Sequence, residues 1–413
     1  MLGVLLLNNR RLILGIISLV LVTSIITFAI SFAAFFGWNY FHPGYSISFD
    51  RDKANPQNIK KFEDVKSILK KSYYENVDEN NLIEGAISGM ADSLKDPYTV
   101  YFNKDQMKSF MEKSEGSYVG IGVSISLDSD GILSVIEPFD DSPAKNAGVQ
   151  QGDKIIKVDD KDVTGIRDEN MIISMIKGQE NTKVKVTFYR PSAGKSMDFN
   201  LVRKRIKIEN IRSELLPGNI GYIKIVMFDS EIASAFEQRL NKLISQGMKG
   251  LVIDLRDDPG GDYEQVVAIA DRLLPEGLIV YTQDKYGKKS EKRSDAKELN
   301  LSMAVLVNGN SASASEILAG AIKDHKKGTL IGTKTFGKGL VQTVVRLDDG
   351  SGLKVTIARY YTPSGVCIQG IGIQPDEEVQ NSDKYKNVPV SQIPREDDIQ
   401  FKRAVEVVKR SIK

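Results

Sequence analysis

The chain has 413 residues, with 56 Lys and Arg against 54 Asp and Glu, a formal net charge of +2. That balance excludes a strong overall attraction to nucleic acid or to acidic partners, and 41% hydrophobic residues exclude wholesale disorder. One cysteine, Cys367, and two histidines, His42 and His325, exclude an internal disulfide and a Cys-cluster metal site, and leave very little for a histidine-based zinc site or a Ser–His–Asp triad.

Residues 1–11 end in Arg10-Arg11, and the run from Leu12 to Trp38 is almost wholly apolar. No charged residue occurs between Leu12 and Phe49. At about 1.5 Å per residue in a helix, residues 12–38 are long enough to cross a ~30 Å hydrocarbon core. The positive-inside rule keeps residues 1–11 in the cytoplasm and carries the rest of the chain outside. A cleaved signal peptide is the competing reading, because small residues lie around Ser31–Ala34; its apolar region is usually only ~7–15 residues long. Residues 39–57, with Pro43, Gly44, Asn55 and Pro56, read as a linker.

Residues 58–115 follow a helical pattern through Phe62, Val65, Ile68 and Leu69, then Leu82, Ile83, Ala86, Ile87, Met90 and Leu94, broken at Asp96-Pro97-Tyr98. Residues 116–205 alternate short β-type runs with turns, around helical stretches at 142–147 and 168–176. Over 206–376 apolar strands alternate with amphipathic helices, which predicts α/β layers. The charged segment Gln283–Glu298 reads as a solvated loop, and residues 377–413 as a tail with a helix.

Three places could carry chemistry. Ser311-Ala312-Ser313-Ala314-Ser315-Glu316 follows the apolar strand Ala304–Val307 and opens a helix. A serine there stands beside free N–H groups and a dipole that favour an oxyanion. Ser313-x-x-Glu316 is equally a capping box. His325, twelve residues beyond Ser313 on the same helix, is ~18 Å away and cannot be its base, and His42 lies at the membrane edge. A nucleophilic Ser313 therefore needs a lysine or a carboxylate.

Lys338, pinched between Gly337 and Gly339 before the strand Leu340–Leu347, is the lysine candidate. Strand alternation would put Lys338, Leu340 and Gln342 on one face. To act as a base the lysine must be neutral, which burial favours. A plain turn lysine is the alternative; a P-loop is not, because Gly-x4-Gly-Lys-Ser/Thr is absent. The third place is Asp254–Gly261, where two glycines after Pro259 turn N–H groups outward. That suits an oxyanion hole or an ordinary turn.

Taken together, DPYTVYF (Asp96–Phe102), DLRDDPGG, VLVNGNSASASEILAGAIKDH, GTKTFGKGLVQ and YYTPSGVCIQGIGIQPD, in this order, resemble the C-terminal processing peptidases, the tail-specific serine proteases. The likeness runs from about Glu63 to Ile412. It implies a multidomain α/β protein with an N-terminal transmembrane helix (12–38), a helical region (58–115), a β-rich PDZ domain (116–205) and a crotonase/ClpP-like α/β protease core (206–376).

The resemblance also implies a Ser–Lys dyad, with Ser313 as nucleophile, Lys338 as general base and Gln342 in support. Oxyanion N–H groups would come from Ala314 and from Gly260 or Gly261. Glu316, Asp324 and Thr335 fall on motif positions that orient the site or serve as caps and packing. The PDZ carboxylate-binding loop falls on Gly120-Ile121-Gly122-Val123, whose glycines free backbone N–H groups for a peptide terminus.

Two departures stand out. Asp258 occupies a place where the family commonly has Asn, and Val366-Cys367 follows Pro363-Ser364-Gly365 where it commonly has Arg. Cys367 reads as a packed small side chain.

The expected function is a membrane-anchored, extracytoplasmic serine endopeptidase acting on proteins with free C-termini. It would need no metal or organic cofactor and bind no nucleic acid. Residues 58–111 and 397–413 are candidate dimerisation segments for a homodimer. A non-catalytic PDZ adaptor on a protease-like scaffold and an acyl-CoA enzyme are the alternatives from other classes.

Overall fold

The computed structural model describes residues 56–412 apart from 129, 167, 168 and 387. The expected membrane span, most of the linker and His42 lie outside the described residues. Among the described residues no helix is long and apolar enough to cross a membrane. The chain forms two compact units that divide between Leu82 and Ile83.

In the first unit, helix α1 (Pro56–Ser72) carries Phe62, Val65 and Leu69 at helical spacing, all exposed. Its Lys66 and Lys70 reach Glu79, at 3.3 and 2.5 Å, where α2 (Glu79–Asp92) begins. In the second unit, Lys95 takes a positive φ of 55° after the end of α2. Strand β1 (Val100–Phe102) follows, then α3 (Lys104–Ser114) behind an Asn103–Gln106 capping box. The helical pattern expected over residues 58–111 is thus three helices with a short strand set among them.

The β-rich region expected to be a PDZ domain contains β2 (Ser117–Gly120), β3 (Val123–Leu127), β4 (Leu133–Pro138) and α4 (Pro143–Ala147). It continues with β5 (Lys154–Val158), β6 (Lys161–Asp162), α5 (Glu169–Ile176), β7 (Lys183–Arg190), β8 (Lys195–Val202) and β9 (Lys204–Lys207). The sheet runs β3-β4-β5-β7-β8, with β6 on β5, and β2 pairs with β9. Alternation on β7 sends Val184, Val186 and Phe188 into a core with Ile121, Leu133, Val135 and Ile155. Strand β3 is an edge of this sheet.

The α/β region after it is built on β10 (Ile211–Leu216), β11 (Ile220–Ile225), α6 (Ile232–Ser245), β12 (Gly250–Asp254) and α7 (Tyr263–Leu273). Strands β13 (Gly277–Asp284), β14 (Lys289–Ser294) and β15 (Ser302–Val307), helix α8 (Ala314–Asp324) and β16 (Thr329–Gly332) come next. Last are β17 (Leu340–Arg346), β18 (Gly352–Tyr361), β19 (Glu377–Glu378) and α9 (Ile399–Ser411).

The main sheet has the order β10-β11-β12-β15-β16-β19, parallel from β11 onward. On β12, Leu251 and Ile253 join the core formed with α6, α7 and α8, while Val252 joins Ala404 and Val408 of α9. Cover on both faces explains why β12 is buried along its length.

Two expectations are corrected here. The charged segment 283–298 is not a loop: residues 284–288 turn between β13 and β14, paired antiparallel, with the β14 charges facing solvent. The run Leu340–Arg346 does not extend the α/β layer either; it pairs with β18 in a separate sheet with β13, β14 and β1.

Candidate active site

Strands β12 and β15 are parallel neighbours, so the segments leaving their C-terminal ends lie side by side. In parallel sheets that is where ligand crevices form. The segment after β15 carries Ser313 with φ 56° and ψ −113°, a conformation rare for a non-glycine residue and the kind of strain that collects at reactive positions. The Ser313–Glu316 pairing has the form of a capping box, yet the hydroxyl makes no cap hydrogen bond. The Glu316 N–H goes instead to the Ser313 carbonyl oxygen at 2.9 Å.

Glu316 is fully buried and organises the site. Its Oε2 accepts the backbone N–H of Ser313 at 3.0 Å and that of Lys338 at 2.8 Å. Its Oε1 accepts the Thr335 hydroxyl at 2.6 Å and the Gly337 N–H at 2.7 Å. One carboxylate oxygen therefore clasps the two residues expected to form the dyad. Burial pushes the Glu316 carboxyl up, opposed by these four donors. Thr335 Oγ1 also accepts the Ile373 N–H at 2.7 Å, which fixes the loop from the other side.

Lys338 lies ahead of β17, not within it, and the β17–β18 ladder slips between Val341 and Gln342. The expected shared face of Lys338, Leu340 and Gln342 is therefore broken by a bulge. The Lys338 ammonium sits 4.7 Å over the Tyr98 ring. Burial lowers its pKa, Lys354 lowers it further, and Asp96 and Glu316 oppose. Asp96, Tyr98 and Lys354 were not singled out as site residues from the sequence. Tyr98 and Lys338 are 240 positions apart, and the pairing of both β1 and β17 with β18 draws their segments together. Gln342 Nε2 is buried without a partner, a donor left open.

The turn after β12 separates the two glycines. Gly260 donates its N–H to Asp258 Oδ1 at 2.8 Å, so that group is occupied. A Cβ on Gly260 would lie 2.6 Å from the Ala312 carbonyl oxygen and 2.8 Å from the Ala314 nitrogen; the glycine is there to allow close approach. The N–H groups of Gly261 and Ala314 have no partner among the described residues.

Asp324 stands apart from this cluster. At the far end of α8 it accepts the Ser364 N–H at 2.8 Å. His325 caps the same end and contacts the Leu278 carbonyl oxygen at 2.7 Å, a full helix length from Ser313.

In the expected carboxylate-binding loop, Gly120 ends β2 and pairs with Lys204. The Ile121 carbonyl oxygen accepts the Ala144 N–H at 2.9 Å, Val123 opens edge strand β3, and Gly122 has φ 76°. A Cβ on Gly122 would lie 2.3 Å from Ser142 Cβ, so this glycine is required for packing within the chain.

Comparison with known proteins bears on the family and the fold. Residues 219–379 match the model of peptidase family S41, residues 119–201 that of the PDZ domain, and residues 44–106 that of the activating protease CtpB N-terminal domain. A carboxy-terminal-processing protease of Bartonella bacilliformis is 36% identical over 358 residues, covering 84% of this chain and 81% of that one. The carboxy-terminal processing protease CtpA of Bacillus subtilis is 36% identical over 340 residues, covering 82% and 70%. A solved Bacteroides fragilis structure assigned to the S41 proteases is 15% identical, covers 89% of this chain and 100% of its own, and has a TM-score of 0.51, which speaks to the fold alone. The chain thus belongs to the carboxy-terminal processing proteases of peptidase family S41, serine-type peptidases that carry a PDZ domain.

Proposed function

We propose that this protease is a membrane-anchored, extracytoplasmic endopeptidase that reads the C-terminal ends of protein substrates through its PDZ domain and cuts with a Ser313–Lys338 dyad. The observation that carries the dyad is the Glu316 carboxylate, one oxygen of which accepts the N–H groups of both residues.

Neutral Lys338 removes the proton from Ser313 Oγ, which attacks the peptide carbonyl. The oxyanion is held by the open N–H groups of Ala314 and Gly261. Lys338 then hands the proton to the departing amine, and water, deprotonated by the same lysine, releases the acyl group. Gln342 offers its open Nε2 donor to this site. No metal or organic cofactor has a part in these steps.

The free edge of β3 supports addition of an extended peptide to the PDZ sheet, its terminal carboxylate at Gly120–Val123. The apolar run after Arg10-Arg11 supports a single-pass anchor in the cell membrane with the protease outside. Residues 58–111 and 397–413 are the segments through which a homodimer would form.

Ser313→Ala and Lys338→Ala test the dyad. Each should abolish peptide cleavage while the circular dichroism spectrum and melting temperature stay close to those of the parent. Cleavage retained by Lys338→Ala would reject the lysine as base.

A further inference from the structure

We propose that Asp258 is a positioning residue of the oxyanion turn which must keep its proton for cleavage, so that its ionisation slows acylation of Ser313. The inference rests on the reading of Ser313 and Gly261 given above.

Asp258 is 0% exposed. Its Oδ1 accepts the Gly260 N–H at 2.8 Å, while its Oδ2 has no hydrogen-bond partner. Its carbonyl oxygen accepts the Ala312 N–H at 3.0 Å and the Ser315 hydroxyl at 3.1 Å. The residue thus joins the turn that supplies Gly261 to the segment that presents Ser313.

Nearby charges do not compensate an ionised Asp258. Lys224, from β11, donates to the Arg256 carbonyl oxygen at 2.8 Å and lies 3.6 Å from Asp254 Oδ1. Arg256 is taken by Asp254 and Asp398, at 2.7 and 2.9 Å. Asp254, on β12, is itself an anion facing Asp258, and Asp257 accepts the side-chain amides of Asn308 and Asn310. The segment 311–315 contributes only uncharged donors.

Burial drives the Asp258 carboxyl up to about 7, against the pull of the Gly260 N–H and the more distant Lys224. Below that pH the group is a neutral acid whose Oδ1 still holds Gly260. Above it, a buried negative charge sits in the same turn as the Gly261 N–H proposed to stabilise an oxyanion, and the two charges repel in a low dielectric.

The test is the pH profile of kcat/KM for the full chain and for Asp258→Asn, which keeps the shape and the Oδ1 acceptor without the charge. The parent should show a rising limb from Lys338 and a falling limb as Asp258 ionises. Asp258→Asn should lack the falling limb and exceed the parent about tenfold at alkaline pH. A falling limb that persists in Asp258→Asn, or a parent without one, would overturn the proposal.

If Asp258→Asn does not fold, carboxyl-carbon NMR of 13C-aspartate-labelled Ser313→Ala protein decides the matter. The Asp258 signal should be that of a protonated acid at mildly acidic pH and should titrate near neutrality; an ionised signal throughout would refute it. Failure of the dyad appears separately, as cleavage that survives Ser313→Ala, and leaves this titration untouched.

Discussion

At the residue scale, the protonation of Lys338 is set by its neighbours. A neutral amine is the proposed base, so cleavage should rise with pH through the Lys338 pKa. Burial and then Lys354 hold that pKa down, while Asp96 and Glu316 oppose them. Lys354→Met removes a like charge, so the Lys338 pKa should climb and the rising limb of kcat/KM should move to higher pH. Asp96→Asn removes an opposing anion and should move the limb to lower pH. A limb unmoved by both changes would mean that another group titrates. Asp258 bears on stability in the opposite sense to a paired carboxylate. Its folded pKa of about 7 stands above the ordinary value of 3.8. Between those values the unfolded chain gives up the proton while the folded chain keeps it. Stability should therefore be fullest below the ordinary value, fall as pH rises toward 7 and level off above it. Melting temperatures of the parent and Asp258→Asn across that window should show the parent alone losing this contribution. The sequence marked Ser313 and Lys338 as candidates, because serine at a helix start and a lysine between glycines are local patterns. It could not supply the clasp by Glu316 or the Tyr98 ring under the ammonium, which depend on distant pairing.

At the element scale, the end of β12 is fastened to α9. The N-cap residue of α9, Asp398, receives the Arg256 guanidinium at 2.9 Å, and Gln400 receives it at 3.1 Å. Arg256 also grips Asp254 at the end of β12, at 2.9 and 2.7 Å. Burial pushes the Asp254 carboxyl up, but Arg256 and Lys224 overcome that and hold it well below the usual carboxylate range. Arg256→Ala takes this cation from the buried Asp398, leaves Asp254 with Lys224 alone at 3.6 Å, and should cost about 3–5 kcal/mol in denaturant unfolding. Arg256→Lys, which lacks the planar fork, should restore only part of that; full restoration would show that charge alone matters. The proposed oxyanion turn next to this clasp has its own constraint. Gly261 has φ 146°, and a Cβ there would lie 2.1 Å from the Phe228 carbonyl oxygen. Gly261→Ala should therefore abolish cleavage by displacing the turn, even if Ser313 and Lys338 are intact.

At the scale of the whole molecule, the PDZ region and the protease core share one compact unit. Lys177, just after α5, pairs with Glu112 of α3 at 2.7 Å and lies 5.0 Å from the centre of the Tyr118 ring. Remote binding energy from a docked tail can favour the competent arrangement of the core only if the two are linked. If they are, an unstructured peptide with a free apolar C-terminus should show a higher kcat/KM than the same peptide amidated. Equal rates would remove the PDZ loop as a reader of termini. Gly122 is a poor position for the control variant, because its substitution would collide with Ser142. Ile125→Glu on β3, which charges the strand a peptide would join, should reduce the preference for the acid peptide. Topology has its own test: a reporter fused at the C-terminus should be active only outside the cytoplasm, in a protein that keeps its N-terminal segment. A mature form beginning near residue 34 would argue for cleavage instead.

The sequence by itself determined the order of parts and the chemistry open to them. Its histidine scarcity left Ser313 to a lysine or a carboxylate, its alternation of apolar strands and amphipathic helices specified the α/β layers, and its ordered motifs carried the family. These are short-range properties, encoded in residue type and spacing. Tertiary structure decided what depends on segments far apart in the chain. It tied Ser313 and Lys338 to one buried Glu316 oxygen, broke the expected strand face at Gln342 with a bulge, and gave the Gly260 N–H to Asp258 while leaving that of Gly261 open. Each of these turns on which buried donor finds which acceptor, and burial exists only once the layers have closed.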